Sequence, residues 1–236
     1  MWTLVKQVFE VRYTHEYLYW DRTGYIARGV AKIFPNAEIK RADQDRTVIH
    51  LPSEGIQLAY SYNQASAFCD LEDNPKAKFA EIAEHFFREV IASFEIEHIA
   101  RVGNRFTYTK IFDSSAAAED HVDKVADRFG VSRMTFSDTG DPRLTSPKIT
   151  SFSARFDTTT SSVRIEGSHG HVDYHAPHWA ADRPQRNGRV AETVYIAQCD
   201  VDIVSKTVVT AEQLSAVAMI QSNTKMIETR ILPKFA

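Results

Sequence analysis

The chain has 236 residues, 43% hydrophobic, 25% charged and 11% aromatic, with a formal net charge of -3. Those figures describe a water-soluble globular protein with apolar material for a sizeable core, in one large domain or two small ones. The slight net acidity argues against a partner of duplex DNA, no apolar run approaches the ~18 residues of a membrane span, and Met1 to Gln7 lacks the pattern of a secretion signal.

In chain order, Trp2 to Tyr13 predicts a strand, with Val5, Phe9, Val11 and Tyr13 on one parity and Lys6, Glu10 and Arg12 on the other. Thr14 to Asp21 is aromatic-rich and has no clear period. A helix follows from Arg22 to Phe34, burying Ile26, Val30 and Ile33, and Pro35-Asn36 stops it. Two strands are expected near Glu38 to Leu51 and Ile56 to Phe68, joined by the turn Pro52-Ser53-Glu54-Gly55. The clearest helix is Lys76 to Phe94, with Asn74 as its cap and Pro75 at its first position. Phe79, Ile82, Phe86, Phe87, Val90, Ile91 and Phe94 form one apolar stripe at helical spacing. A strand from His98 to Phe112 completes the order β-α-β-β-α-β, the split unit of ferredoxin-like folds.

After Asp113-Ser114-Ser115 a helix spans Ala116 to Phe129 and ends at Gly130. Ser137 to Lys148 carries the signals of a boundary, which divides the chain into a ferredoxin-like half (1–136), a linker (137–148) and a β-rich half (149–236). In that second half, antiparallel strands are expected at Ile149 to Asp157, Ser162 to Tyr174 and Glu192 to Val204. The last of these has Tyr195, Ala197, Cys199, Val201 and Ile203 on one face. The capping box Thr210-Ala211-Glu212-Gln213 opens a terminal helix through Leu214, Val217, Ile220 and Ile227. No repeat of solenoid period is present. The expected fold is α+β: antiparallel sheet with helices on one face, the second half closed by the long helix. A single curved sheet gripping that helix is the alternative arrangement.

Several segments share a pattern. Val5-Lys6-Gln7-Val8-Phe9-Glu10-Val11-Arg12-Tyr13 resembles the opening strand of a sporadically distributed prokaryotic family of roughly 250-residue proteins, and Ile33-Phe34-Pro35 resembles its helix end. Ile99-Ala100-Arg101-Val102-Gly103-Asn104-Arg105-Phe106 and Tyr195-Ile196-Ala197-Gln198-Cys199-Asp200-Val201-Asp202 are similar to two further strands of that family. The resemblance implies an α+β fold; the family has no assigned activity, so it supplies no catalytic residue.

The densest set of metal-ligand types lies between His169 and His178. In an extended strand His169, His171, Asp173 and His175 share one face and could hold zinc or a similar divalent ion, the one cofactor these residues admit. The ordinary alternative is a polar strand face. Asp200 and Asp202 also share a face, and would matter to a metal only beside the histidine strand; otherwise they form a row facing water. Trp179, Arg183, Arg186 and Arg189 place an aromatic and three guanidinium groups in one loop, suited to an anionic ligand or a partner. Tyr60, Tyr62, Phe106, Tyr108 and Phe112 raise stacking of RNA bases on an open sheet, although strand aromatics more often form core.

Nucleophile and phosphate-loop motifs are missing from the sequence. Cys199 reads as inert core, Cys69 is held protonated by neighbouring Asp70, and two such cysteines make no disulfide framework, so the chain reads as cytosolic. These features favour a non-enzymatic bacterial binding protein whose partner is a protein or small ligand. A metal-dependent enzyme using His169 to His178 stands second, and an RNA-binding component of a mobile or defence module third.

Overall fold

The computed structural model describes residues 1–14, 16–70, 78–130, 151–175 and 190–236, with side chains left aside at 172–175 and 190–192. The fold is mixed α+β: among the described residues, ten strands form one antiparallel sheet and there are four α-helices. The strands are β1 (Thr3–Tyr13), β2 (Glu38–Ala42), β3 (Thr47–Leu51), β4 (Ile56–Tyr60), β5 (Gln64–Asp70), β6 (His98–Phe112), β7 (Ser151–Asp157), β8 (Ser161–His175), β9 (Val190–Ser205) and β10 (Val209–Thr210). The helices are α1 (Leu18–Ile33), α2 (Phe79–Phe94), α3 (Ser115–Arg128) and α4 (Ala216–Met226). The sheet runs β2-β3-β4-β5-β1-β6-β9-β8-β7, and β10 adds to β6.

Four strands, rather than two, lie between α1 and α2. The stretch 38–51 breaks because the Asp43 carboxylate accepts the amide N–H groups of Asp45 (3.0 Å) and Arg46 (2.8 Å), a side chain substituting for a ladder partner. The stretch 56–68 breaks where the Ser61 hydroxyl accepts the amides of Asn63 and Gln64. The first half therefore reads β-α-β-β-β-β-α-β. It also lacks the parallel neighbour that a split βαβ unit needs, since β1 pairs antiparallel with both β5 and β6.

The resulting plan is a duplication. β1 leads into α1, then into a meander whose last strand, β5, returns to pair with β1, and α2 follows. β6 leads into α3, then into a meander whose last strand, β9, returns to pair with β6, and α4 follows. The two units join edge to edge through β1 and β6, with Gln7 opposite Phe106 and Val11 opposite Val102. The expected linker, 137–148, lies outside the described residues, but the sheet continues from one half into the other.

All four helices pack on one face. Phe9, Val11, Ile49, Leu58 and Cys69 meet Ile26 and Val30 of α1 and the stripe of α2, in which Phe79, Ile82, Phe86, Phe87, Val90 and Phe94 are buried. Phe106, Ile165, Cys199 and Val201 meet Val122 and Val125 of α3 in a second cluster. The terminal helix spans both: Ala216 and Ile220 belong to the first cluster, and Ile227, Ile231 and Phe235, in its π-helical and 3-10 continuation, to the second. Gly167 permits one close approach, because a Cβ there would lie 2.2 Å from the Phe152 ring. Ile33 departs from expectation. It is 45% exposed, at the last position of α1 and on the rim of a cleft.

Other expectations meet the structure closely. β6 has the expected bounds, and Gly130, the expected helix terminator, adopts φ 68° behind α3, which the structure shows to be capped by Ser114 through the Ala117 amide. The Thr210 capping box forms, yet it caps a 3-10 turn, and α4 starts later under Ser215. The Asn74 cap of α2 lies outside the described residues.

Between the two units, Glu84 of α2 accepts the Val217 amide at 3.2 Å and the Ser215 hydroxyl at 3.4 Å, and so caps α4 across the helix layer. Burial pushes its carboxyl up, but the Val217 and Ala216 amides and the Arg88 guanidinium outweigh that and hold it below the usual carboxylate range.

Two stability predictions follow from this layer. Phe86→Ala should cost about 3–5 kcal/mol in chemical denaturation, as for other buried aromatic truncations. Glu84→Gln should cost about 1 kcal/mol at neutral pH, the scale of a lost cap. Because the folded carboxyl titrates below the unfolded one, its contribution is complete above the ordinary value of 4.5 and disappears as pH falls through the folded value. The gap between wild type and Glu84→Gln should therefore close on acidification.

Candidate functional site

Strand alternation fixes what the helix-free face carries. One row across the sheet reads Glu38, His50, Gln57, Phe68, Val8, Arg105, Asp202, Arg164 and Arg155. The next reads Asp70, Lys6, Thr107, Asp200, Glu166 and Ser153. None of the four helices covers this face, and nine strands contribute to it.

Most of its charges are tied to one another; Arg101, opposite Arg12 on the same face, has its Nε buried without a hydrogen-bond partner among the described residues. Asp200 is only 8% exposed and accepts from Thr107 Oγ1 (2.5 Å), Gln198 Nε2 (2.8 Å) and Arg105 Nη2 (3.0 Å). Burial opposes the Arg105 charge, yet the Asp200 carboxylate holds the guanidinium protonated above its ordinary range. Arg164 reaches Glu166 (3.5 Å) and Asp202 (3.7 Å), Arg155 reaches Asp157 (3.4 Å), and Arg12 meets Glu10 (2.7 Å). Apolar side chains interrupt the pattern: Val8 opposes Phe68, Val48 opposes Ala59, and Ile111 opposes Ile196. Ile111 is 68% exposed.

The expected row of aspartates facing water thus becomes a hydrogen-bonded network centred on Asp200. β8 and β9 are neighbours, as a joint histidine–aspartate centre would require. Their register opposes it: His169 pairs with Ala197 and His171 with Tyr195, on the helix-facing side, whereas Asp200 pairs with Glu166 on the other. The two rows occupy opposite faces. His169 Nε2 is buried without a hydrogen-bond partner among the described residues. Asp173 and His175 continue β8 opposite Thr193 and Val190, and their side chains lie outside the description. No group of three or more His, Cys, Asp or Glu side chains forms a metal set among the described residues. Trp179, Arg183, Arg186 and Arg189 lie outside the described residues.

Of the aromatics considered for base stacking, Tyr60, Phe106 and Tyr108 are buried beneath the helices. Tyr60 donates its hydroxyl to the Thr23 carbonyl at 2.7 Å. Both thiols are free and buried: burial pushes Cys69 up to about 11 and Cys199 well above the ordinary range, with Asp70 and Asp200 adding to the effect. Neither is a nucleophile at neutral pH. A cleft of about 500 Å³ opens between the ends of α1 and α2 and the β3–β4 turn. His85 and Glu81 line it one helical turn apart beside Ile82.

No family model matches the chain, and no curated protein matches it. No helix among the described residues is long and apolar enough to cross a membrane.

Asp200 should behave as a structural residue. Asp200→Ala removes a carboxylate with three donors around it and should cost about 1.5–3 kcal/mol, the range for hydrogen bonds to charged groups. Urea denaturation would check this, and Asp202→Ala, with one long ion pair, should cost far less.

Proposed function

We propose that the chain is a binding protein of the bacterial cytosol that presents the helix-free face of its sheet to a protein partner. One observation carries this reading: most acids and bases on that face neutralise one another, Arg101 excepted, while Val8, Phe68, Ile111 and Ile196 stand among them. Neutralised pairs generate no field that would gather a polyanion, which counts against RNA. Apolar anchors set within paired charges match the anatomy of protein interfaces, where a few side chains supply most of the affinity. The carboxylate of Asp200, the most buried acid of this face, is occupied by three donors.

The test compares variants within one experiment. Quantitative affinity capture from host lysate should recover a defined protein with the wild-type chain. Phe68→Ala combined with Arg164→Ala should weaken its capture about tenfold, the size of a hot-spot truncation. Arg28→Glu, on the exposed side of α1, should leave it unchanged. Equal capture by both variants, with circular dichroism showing both folded, would overturn the reading.

A further inference from the structure

The segment before α1, the first turn of α1 and the β4–β5 turn bring together Glu16, Tyr17, Trp20 and Tyr62 around a cavity of about 210 Å³. Trp20 and Tyr62 stack nearly parallel, with ring centroids 6.0 Å apart and planes at 12°. Tyr17 stands 6.1 Å from Trp20 at 34°. Their exposure is unusual for aromatics: Tyr17 is 79% and Trp20 52% accessible.

The arrangement is built rather than incidental. The Glu16 amide donates to the Tyr62 carbonyl at 2.8 Å, tying the helix lead-in to the turn. The Trp20 indole donates to the Gln44 carbonyl at 3.2 Å and meets fully buried Tyr19 edge-on at 6.0 Å. The ring faces are thereby held before any ligand arrives.

Three aromatic rings and one carboxylate line the cavity and select a ligand class. An aromatic face carries a negative quadrupole that attracts a cation, and the Glu16 carboxylate, the one charged group lining the cavity among the described residues, adds attraction of the same sign. A primary ammonium is a compact, strongly hydrated charge that seeks several acceptors, and the walls provide few. Methylation removes that demand and covers the charge with groups that seat on rings. We infer that Glu16, Tyr17, Trp20 and Tyr62 form an aromatic cage for a trimethylammonium group. The site is independent of the sheet-face reading, and either can fail alone.

The experiment is a ligand-observed proton NMR titration of the full chain. One arm uses choline, and a second uses a short peptide bearing one trimethyllysine; a third uses 3,3-dimethyl-1-butanol, the uncharged carbon isostere of choline. Millimolar binding with an upfield shift of the N-methyl signal is expected in the first arm, the second, or both, and the responding arm identifies the source of the group. Tyr17→Ala, at a largely exposed position, should weaken that binding about tenfold, the scale of lost cation–π contact, and Trp20→Leu at least as much. Glu16→Gln should weaken it less. No binding in either cationic arm would overturn the inference. So would equal binding of the isostere, or affinity unchanged in folded Tyr17→Ala.

Discussion

The antiparallel pairing of β1 with β6 is the constraint on which the rest of the molecule depends. Each of these strands is the first of its own unit and already has one partner, β5 or β9, supplied by the returning meander. Their mutual pairing turns two sheets into one and sets both helix layers on the same side. Gln7 and Asn104 lie at this seam, buried on the helix-facing side, with Gln7 Nε2 and both amide atoms of Asn104 unpartnered among the described residues. Such groups cost on the order of 1–3 kcal/mol each. The main-chain ladder, the flanking Phe9 and Phe106, and a terminal helix rooted in both clusters hold the seam against that penalty.

The seam also divides labour between the faces. Placing every helix on one side concentrates apolar side chains there and leaves the other side free of the demands of a core. Charge can then persist on central strands, provided it is satisfied within the sheet. Asp200 illustrates the condition: a nearly buried carboxylate is tolerable because Thr107, Gln198 and Arg105 surround it.

Local periodicity made much of the scaffold legible. The α2 stripe, the bounds of β6 and the buried parity of β9 followed from spacing alone, since each reflects one element's contact with one core. Two strand breaks were missed because Asp43 and Ser61 act through side-chain hydrogen bonds to nearby amides, which leave hydrophobic alternation intact on either side. The duplication was invisible for a different reason: it resides in pairings such as Val11 with Val102, far apart in the chain, and no repeated motif marks it. Parity put His169 and His171 on one face of their strand and Asp200 and Asp202 on one face of theirs. Only register reveals that these faces are opposed. The aromatic cage escaped because Tyr17 and Trp20 fall where the period is ambiguous, and Tyr62 arrives from a turn inserted between two short strands.

The order of strands bears on how the chain is made. A ribosome delivers the first unit's whole meander, β2 through β5, before β6 exists, so β1 can be sandwiched on one side only. Its other flank, with Phe9 and Val11 along it, remains for a time an unpaired ribbon of backbone donors and acceptors, the feature that templates intermolecular strand addition. Residues 98–112 retire that hazard in a single stroke, since one long strand caps the nascent half and founds the next. Slowing translation between α2 and β6 would lengthen the interval in which two nascent chains could lend each other an edge.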